Sequence, residues 1–230
     1  MRLGEPRIEV ESCDSTQALL DASMPEGAVA VADFQSAGRG RLGRTWQAPA
    51  GSSLLCSVLL KPPPERPLPQ LSLVAGIAVA DALEQLTGLA VQIKWPNDVM
   101  LRRLKVAGIL AEARGDGVVL GIGVNLSQTT EQLPERAGSL YTLTGRVWNR
   151  NTVLDEVLAA LEQRYEAWVT GGLDAVYDGL APRDFLRGRR VSVDGTVGTA
   201  AKIDRDGRLE IEVGHGEVRA VESGEVVYER

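Results

Sequence analysis

Residues 38–43 read Gly38-x-Gly40-x-x-Gly43, and the residues after them constrain the fold more than the pattern itself. A dinucleotide-binding βαβ unit needs a strand before this pattern. It also needs a helix opening directly after it and an acidic residue about 20 positions on. The strand is present: AVAVADF (28–34) is a continuous apolar run of strand length, suited to burial on both faces. The helix is not. TWQAPAGSS (45–53) contains Pro49, Gly51 and several small residues, and no Asp or Glu occurs between Asp33 and Glu65. A doubly wound dinucleotide fold is therefore rejected. The absence of HRD and DFG rejects a kinase.

What remains is the chemistry of residue types. Residues 38–44 hold three glycines and three arginines, inside a chain of net charge -6. Glycines let backbone N–H groups approach an anion. Arginines present planar, permanently charged forks to phosphate or carboxylate oxygens. An extended loop would point Arg39 and Arg41 the same way, with Arg44 leaving the turn at Gly43 and Trp46 free to stack on a flat ring. These features suit a polyphosphate joined to an aromatic base. A solvated basic loop or an RGG-like RNA contact is the plainer alternative.

The surrounding pattern predicts a mixed α/β main domain over 1–184 and a small β unit over 185–230. RIEVE (7–11), SSLLCSVLL (52–60), AVQIKW (90–95), VAGILAEA (106–113) and GVVLGIGVN (117–125) read as strands, the last two joined through Gly115-Asp116-Gly117. A helix is expected after Asp14, Ser15 or Thr16 as N-cap, and KPPPERPLP (61–69) must be a connection. Residues 70–87 form a helix with Leu71, Val74, Ala75, Ala78 and Ala82 on one stripe, stopped by Gly88. A second helix carries Leu154, Val157, Leu158, Leu161, Tyr165 and Trp168. Asn151 or Thr152 would be its cap, with Asp155 and Glu156 at its positive end. Residues 126–150 show no clear pattern. After Arg187, short β runs alternate with turns, as in a small barrel or sandwich.

Several classes are excluded early. Cys13 and Cys56 are far apart and there is one histidine, His215, in the turn-like VGHGEV, so no zinc site of the usual kind can form. MRLGEPRIEV lacks the apolar core of a signal peptide, and no apolar run is long enough to span a bilayer. A cytoplasmic protein without membrane association is expected. The acidic balance argues against a duplex-wrapping DNA binder.

A second stretch, KWPNDVMLRRLKVAGIL (94–110), gives the first a partner. Lys94 ends a strand, Pro96 turns the chain, and Asn97 and Asp98 can bond a turn or a ligand. Lys105 returns before the next strand, where Gly108 marks a close approach. Taken by itself the stretch reads as a hairpin with solvated lysines.

Together with DSTQ (14–17), QSAGRGRLGRTW (35–46) and GIGVN (121–125), it resembles the biotin protein ligases, also called biotin–acetyl-CoA-carboxylase ligases. The resemblance spans the main domain. It implies an α+β fold, with a class II synthetase-like mixed sheet carrying packed helices and a C-terminal SH3-like β-barrel. It implies activation of biotin by Mg-ATP to biotinyl-5′-AMP, then transfer to a lysine of a biotin carboxyl carrier domain. Carried over by position, Ser15, Thr16, Gln17, Gln35, Arg39, Gly40, Arg41, Lys94 and Gly108 would line the biotin site. Lys94 would touch carboxylate and α-phosphate oxygens, and Arg41 and Arg44 would hold phosphates. Trp46, Asn97 and Asn125 would face ATP or the adenylate. Lys105 would serve the second step and Asp98 a metal, Mg²⁺. Gln17 departs from the Asn usual in the family. A lipoate or octanoate ligase or transferase is the nearest alternative. With its first strand near residue 7, the chain is expected to be a monofunctional ligase without operator binding, as a monomer or homodimer.

Overall fold

The computed structural model describes residues 2–229. Its first sheet has seven strands: β1 (Arg7–Cys13), β2 (Val29–Gln35), β3 (Ser53–Leu60), β4 (Val91–Lys94), β5 (Asp98–Leu101), β6 (Leu104–Arg114) and β7 (Gly117–Asn125). Their order is β1-β2-β3-β7-β6-β5-β4, with β1 and β2 parallel and every other neighbour antiparallel. Four α-helices among the described residues accompany the strands: α1 (Leu68–Thr87), α2 (Leu140–Thr144), α3 (Arg150–Gly171) and α4 (Tyr177–Leu180).

Alternation along each strand sorts residues between two faces. Val118, Leu120, Ile122 and Val124 of β7, with Leu54, Cys56 and Val58 of β3, join the main core with the buried stripes of α1 and α3. The α1 stripe is the one the sequence predicts, and Gly88 ends it in the left-handed conformation at φ 71°. The indole N–H of Trp168 donates to Gln70 Oε1 at 2.8 Å, so the helix pair is fixed by a buried polar bond as well as by apolar contact. Helices thus cover one face of the sheet. The opposite face is left for Gly108, Leu110, Gly121, Gly123, Leu55 and Ser57.

The second sheet holds β8 (Arg190–Val193), β9 (Thr196–Ile203), β10 (Leu209–Gly214), β11 (Glu217–Val221) and β12 (Val226–Tyr228), all antiparallel, in the order β11-β10-β9-β8-β12.

Four local expectations are corrected. The segment after Ser15 is a single 3₁₀ turn, Thr16–Leu19, whose Ser15 side chain makes no capping bond. Asp98 lies on a strand, β5, rather than in a turn. The α3 cap is Asn149, whose side chain accepts from the N–H groups of Asn151 and Thr152; Asp155 and Glu156 fall beyond the first turn. Residues 126–150 contain α2, capped by Ser139 through a reciprocal bond with Thr142.

Candidate active site

Register builds the site floor. Lys94 pairs with Asp98, Asp98 with Gly108, Gly108 with Gly123, and Gly123 with Leu55, in one row across five strands. A parallel row two residues away runs Leu110, Gly121, Ser57. Residues in one row share a face, so Lys94 and Asp98 stand at one end of a floor paved by three glycines.

Those glycines are occupied from above. A Cβ at Gly123 would stand 2.7 Å from the Trp46 ring, and one at Gly108 would stand 2.9 Å from it. A Cβ at Gly121 would meet the Gln17 amide at 2.6 Å. The Gly-x-Gly spacing of β7 therefore has a direct cause: two side chains from the covering segments need the room.

The 3₁₀ turn and the glycine-arginine stretch form the cover. Gln35 Oε1 accepts from the Thr16 backbone N–H at 2.7 Å and from its hydroxyl at 3.0 Å; Thr16 and Ser57 hydroxyls lie 2.8 Å apart. Gln17 donates to Leu110 O at 3.0 Å. Its longer amide arm thus reaches the floor. On its other side Gln17 Oε1 accepts from Arg39 at 3.5 Å, and Arg39 also pairs with Glu112 at 3.0 Å.

The stretch itself is not extended. Trp46 N–H donates to Gly38 O at 2.9 Å, Gly40 N–H to Arg44 O at 2.7 Å and Arg44 N–H to Arg41 O at 3.1 Å. The result is a closed hairpin whose tip, Leu42 and Gly43, is left-handed at φ 55° and 73°. Arg39 and Arg41 therefore reach different partners rather than pointing together. Arg41 approaches Asn97 Oδ1 at 3.4 Å, while Asn97 donates to Ile109 O at 2.8 Å. Burial holds the Arg41 guanidinium below its ordinary pKa, partly offset by the Asp98 charge. Arg44, at the hairpin's far side, forms an ion pair with Glu225 of the second sheet region.

The cavity between floor and hairpin is lined by every predicted site residue except Asn125. Asp98 sits between two cations: Lys105 Nζ is 2.6 Å from Oδ1 and Lys94 Nζ 3.4 Å from Oδ2. Lys105 also lies 5.7 Å from the Trp46 ring centroid. The Trp46 indole N–H is buried with no hydrogen-bond partner among the described residues. Asn125 stands apart, buried beneath residues 126–139. Its Nδ2 donates to Gly138 O and its Oδ1 accepts from Gln128, both at 3.0 Å. Its amide is taken up in holding that segment, which in turn pins Lys105 through backbone bonds to Arg136 and Gly138.

Sequence reasoning missed Gly121, Gly123, Glu112 and Glu225. The two glycines carried a legible signal, since isolated glycines in an apolar strand mark close approach. The two glutamates carried none.

This fold and cavity define a class: a mixed-sheet protein with a cation-lined cavity beneath a glycine-arginine hairpin. The chain belongs to the biotin/lipoate A/B protein ligase family, whose model matches residues 9–128. It is similar to the biotin–[acetyl-CoA-carboxylase] ligase of Mycobacterium tuberculosis, with 38% identity over 89% of this chain and 80% of that protein. It is also similar to the bifunctional ligase/repressor BirA of Bacillus subtilis, with 33% identity over 93% of this chain and 71% of that one. Among solved structures, the biotin protein ligase from Aquifex aeolicus in complex with biotin and ATP superposes with a TM-score of 0.88. Identity there is 32%, over 98% of this chain and 99% of that one.

Proposed function

We propose that this protein is an ATP-dependent biotin protein ligase that forms biotinyl-5′-AMP and transfers biotin to a lysine of a biotin carboxyl carrier domain. The observation that carries this reading is the convergence of Arg39, Arg41, Lys94 and Lys105 on one cavity of an otherwise acidic chain. Two anions, a carboxylate and a triphosphate, can meet there only if cations offset their repulsion. The similar proteins from Mycobacterium tuberculosis and Aquifex aeolicus are biotin ligases, which favours biotin over lipoate.

In the first half-reaction a carboxylate oxygen of biotin forms a bond to the α-phosphorus while the bond to the β-phosphate oxygen breaks and pyrophosphate leaves. Lys94 and Arg41 stabilise the charge on carboxylate and α-phosphate oxygens. Arg44, mostly exposed at the hairpin rim, meets the outer phosphates. Ser15, Thr16, Gln17 and Gln35 hold the biotin head group over Gly121, with Gly40 backbone and Arg39 above it. Trp46 and Asn97 border the nucleotide side. In the second half-reaction the carrier's neutral amine nitrogen attacks the acyl carbon, the bond to the phosphate oxygen breaks, AMP leaves, and the nitrogen loses its proton to solvent. Lys105, beside Gly108, offsets charge on the departing phosphate.

Asp98 is the carboxylate of the cavity that the resemblance assigns to Mg²⁺, but Lys105 engages its Oδ1 and Lys94 its Oδ2, so the residues present do not fit a protein-held ion, and Mg²⁺ would enter with the nucleotide. It would supply neutralisation of phosphate charge. Among the described residues no group of three or more His, Cys, Asp or Glu forms a metal cage.

No helix among the described residues is long and apolar enough to cross a membrane. The two cysteines are unpaired, which supports a reducing, cytoplasmic setting.

The deciding experiment offers an apo carrier domain with ATP and either biotin or lipoate. Labelling by biotin, dependent on ATP and accompanied by pyrophosphate release, is expected. Labelling by lipoate alone overturns the assignment.

A further inference from the structure

We infer that Tyr228 of β12 is a positioning residue for Lys94 and that Glu225 tethers the hairpin through Arg44. The Tyr228 part rests on the adenylating role proposed for Lys94.

The second sheet is fixed to the strand that carries Lys94. The next residue, Trp95, donates its indole N–H to Gly207 O at 2.9 Å. Phe185 N–H donates to Ile93 O at 3.0 Å, and Gln70 Nε2 donates to Asp206 O at 3.1 Å. These bonds bring Gly224, Glu225 and Val226 into the lining of the cavity. Gly224 has φ 138°, and a Cβ there would stand 2.5 Å from Asp194 Oδ2, so only glycine fits at the approach to β12.

From that anchor the Tyr228 ring sits with its centroid 5.4 Å from Lys94 Nζ. Phe185 meets the ring edge-on, 5.4 Å between centroids and 86° between planes. Lysine is a point charge on a flexible four-carbon stem. Asp98 supplies one restraint on its ammonium, and the face of Tyr228 supplies a second by cation–π attraction. Losing the ring lets the ammonium wander from the place where charge develops, while biotin contacts on β7 and the 3₁₀ turn stay intact. At the other end of the segment, the Glu225 carboxylate holds Arg44 and so fastens the hairpin over the cavity.

The experiment has three readouts on the full chain. Single-turnover pyrophosphate release at saturating biotin and ATP is expected to fall about tenfold in Tyr228→Leu and to stay within about twofold in Tyr228→Phe, on the scale of a partly desolvated cation–π contact. Biotin affinity and thermal midpoint should stay near the parent values in Tyr228→Phe, and in Tyr228→Leu biotin affinity should fall less than the adenylation rate. In protein reductively methylated with ¹³C, the Lys94 signal, assigned through Lys94→Arg, should carry a ring-current shift. Tyr228→Leu should remove that shift and Tyr228→Phe should keep it. In ligand-free protein, Glu225→Gln should speed amide exchange at Gly40, Arg44 and Trp46 by about two- to fivefold, the range of an exposed ion pair. Exchange in β9 and β10 should not change.

A Lys94 signal indifferent to Tyr228→Leu, or a Leu variant that adenylates at the parent rate, overturns the positioning role. Hairpin exchange unchanged in Glu225→Gln overturns the tether. Parent protein that releases no pyrophosphate refutes the proposed activity instead, and the two spectroscopic readouts still decide the inference.

Discussion

Gln17 lies over Gly121 so closely that a Cβ at position 121 would stand 2.6 Å from its side-chain nitrogen. The pair explains how the longer amide fits: its Nε2 donates to Leu110 O at 3.0 Å because β7 offers no side chain beneath it. Gly121→Ala should therefore weaken biotin binding by about tenfold in calorimetry. The loss should shrink to about twofold when Gln17→Asn shortens the arm. Equal losses in both backgrounds would show that the two positions are uncoupled.

The hairpin depends on Gly38 in a different way. Its Cα faces the Trp46 carbonyl oxygen with no room for a Cβ between them, and Trp46 N–H donates back to Gly38 O at 2.9 Å. A β-branched side chain at 38 must push the returning strand away. Gly38→Val should leave biotin able to bind but release the acyl-adenylate to solvent, where it hydrolyses. Retention of the intermediate by the variant at the parent level, measured by gel filtration of the loaded enzyme, would count against a closing hairpin.

Asp98 neutralises two lysines at once, so its loss should cost more than one ion pair. In Asp98→Asn, Lys94 and Lys105 face each other with the charge between them removed. Single-turnover adenylation should fall about 10²- to 10³-fold, the scale of removing one preorganised electrostatic group. Arg39→Ala and Lys94→Ala should each also depress adenylate formation strongly, and normal rates in both would reject the assignment of the cavity.

The elements legible in the sequence were those governed by local chemistry. Apolar periodicity located α1 and α3, and apolar runs and alternation located β2, β3, β6 and β7, because burial on a sheet under helices writes directly into residue type. The cavity residues were legible from two motifs, but their arrangement was not: the row Lys94, Asp98, Gly108, Gly123 exists only through strand register. β5 was hidden because Arg102 and Arg103 do not resemble hairpin-turn residues. The pairing of Arg44 with Glu225 joins residues 181 positions apart (225 less 44), and nothing local announces it.

That hidden turn yields its own prediction. Arg102 and Arg103 link β5 to β6 with Leu101 paired to Leu104, and both are left-handed, at φ 48° and 69°. This geometry favours Asn-Gly, and each non-glycine residue held there costs roughly 1 kcal/mol. Both side chains are exposed and neither lines the cavity. The double variant Arg102→Asn, Arg103→Gly should raise the thermal midpoint by about 2–4 °C per kcal/mol regained, with adenylation unchanged. A lowered midpoint would mean that the arginines make contacts worth more than the strain.

Asp184 makes the stability of the sheet junction depend on pH. It lies buried where the chain passes from α4 to the second sheet, bridged to Ile93, with Oδ1 accepting from Leu186 N–H at 2.9 Å. Burial raises its pKa above the ordinary 3.8, outweighing the backbone N–H groups and Arg187, which act to lower it. A raised carboxyl pKa means that the folded state binds the proton more tightly than the unfolded state. Stability contributed by this group is therefore present at low pH and is lost as pH climbs from about the ordinary value through the folded one. Asp184→Asn keeps the oxygen that faces Leu186 and cannot ionise. The midpoint of the variant minus that of the parent should increase between pH 4 and pH 7 and level off above the folded pKa; other carboxylates are common to both and cancel. A difference that is flat across this range, or that falls, would show that the Asp184 charge is accommodated at no cost at the junction.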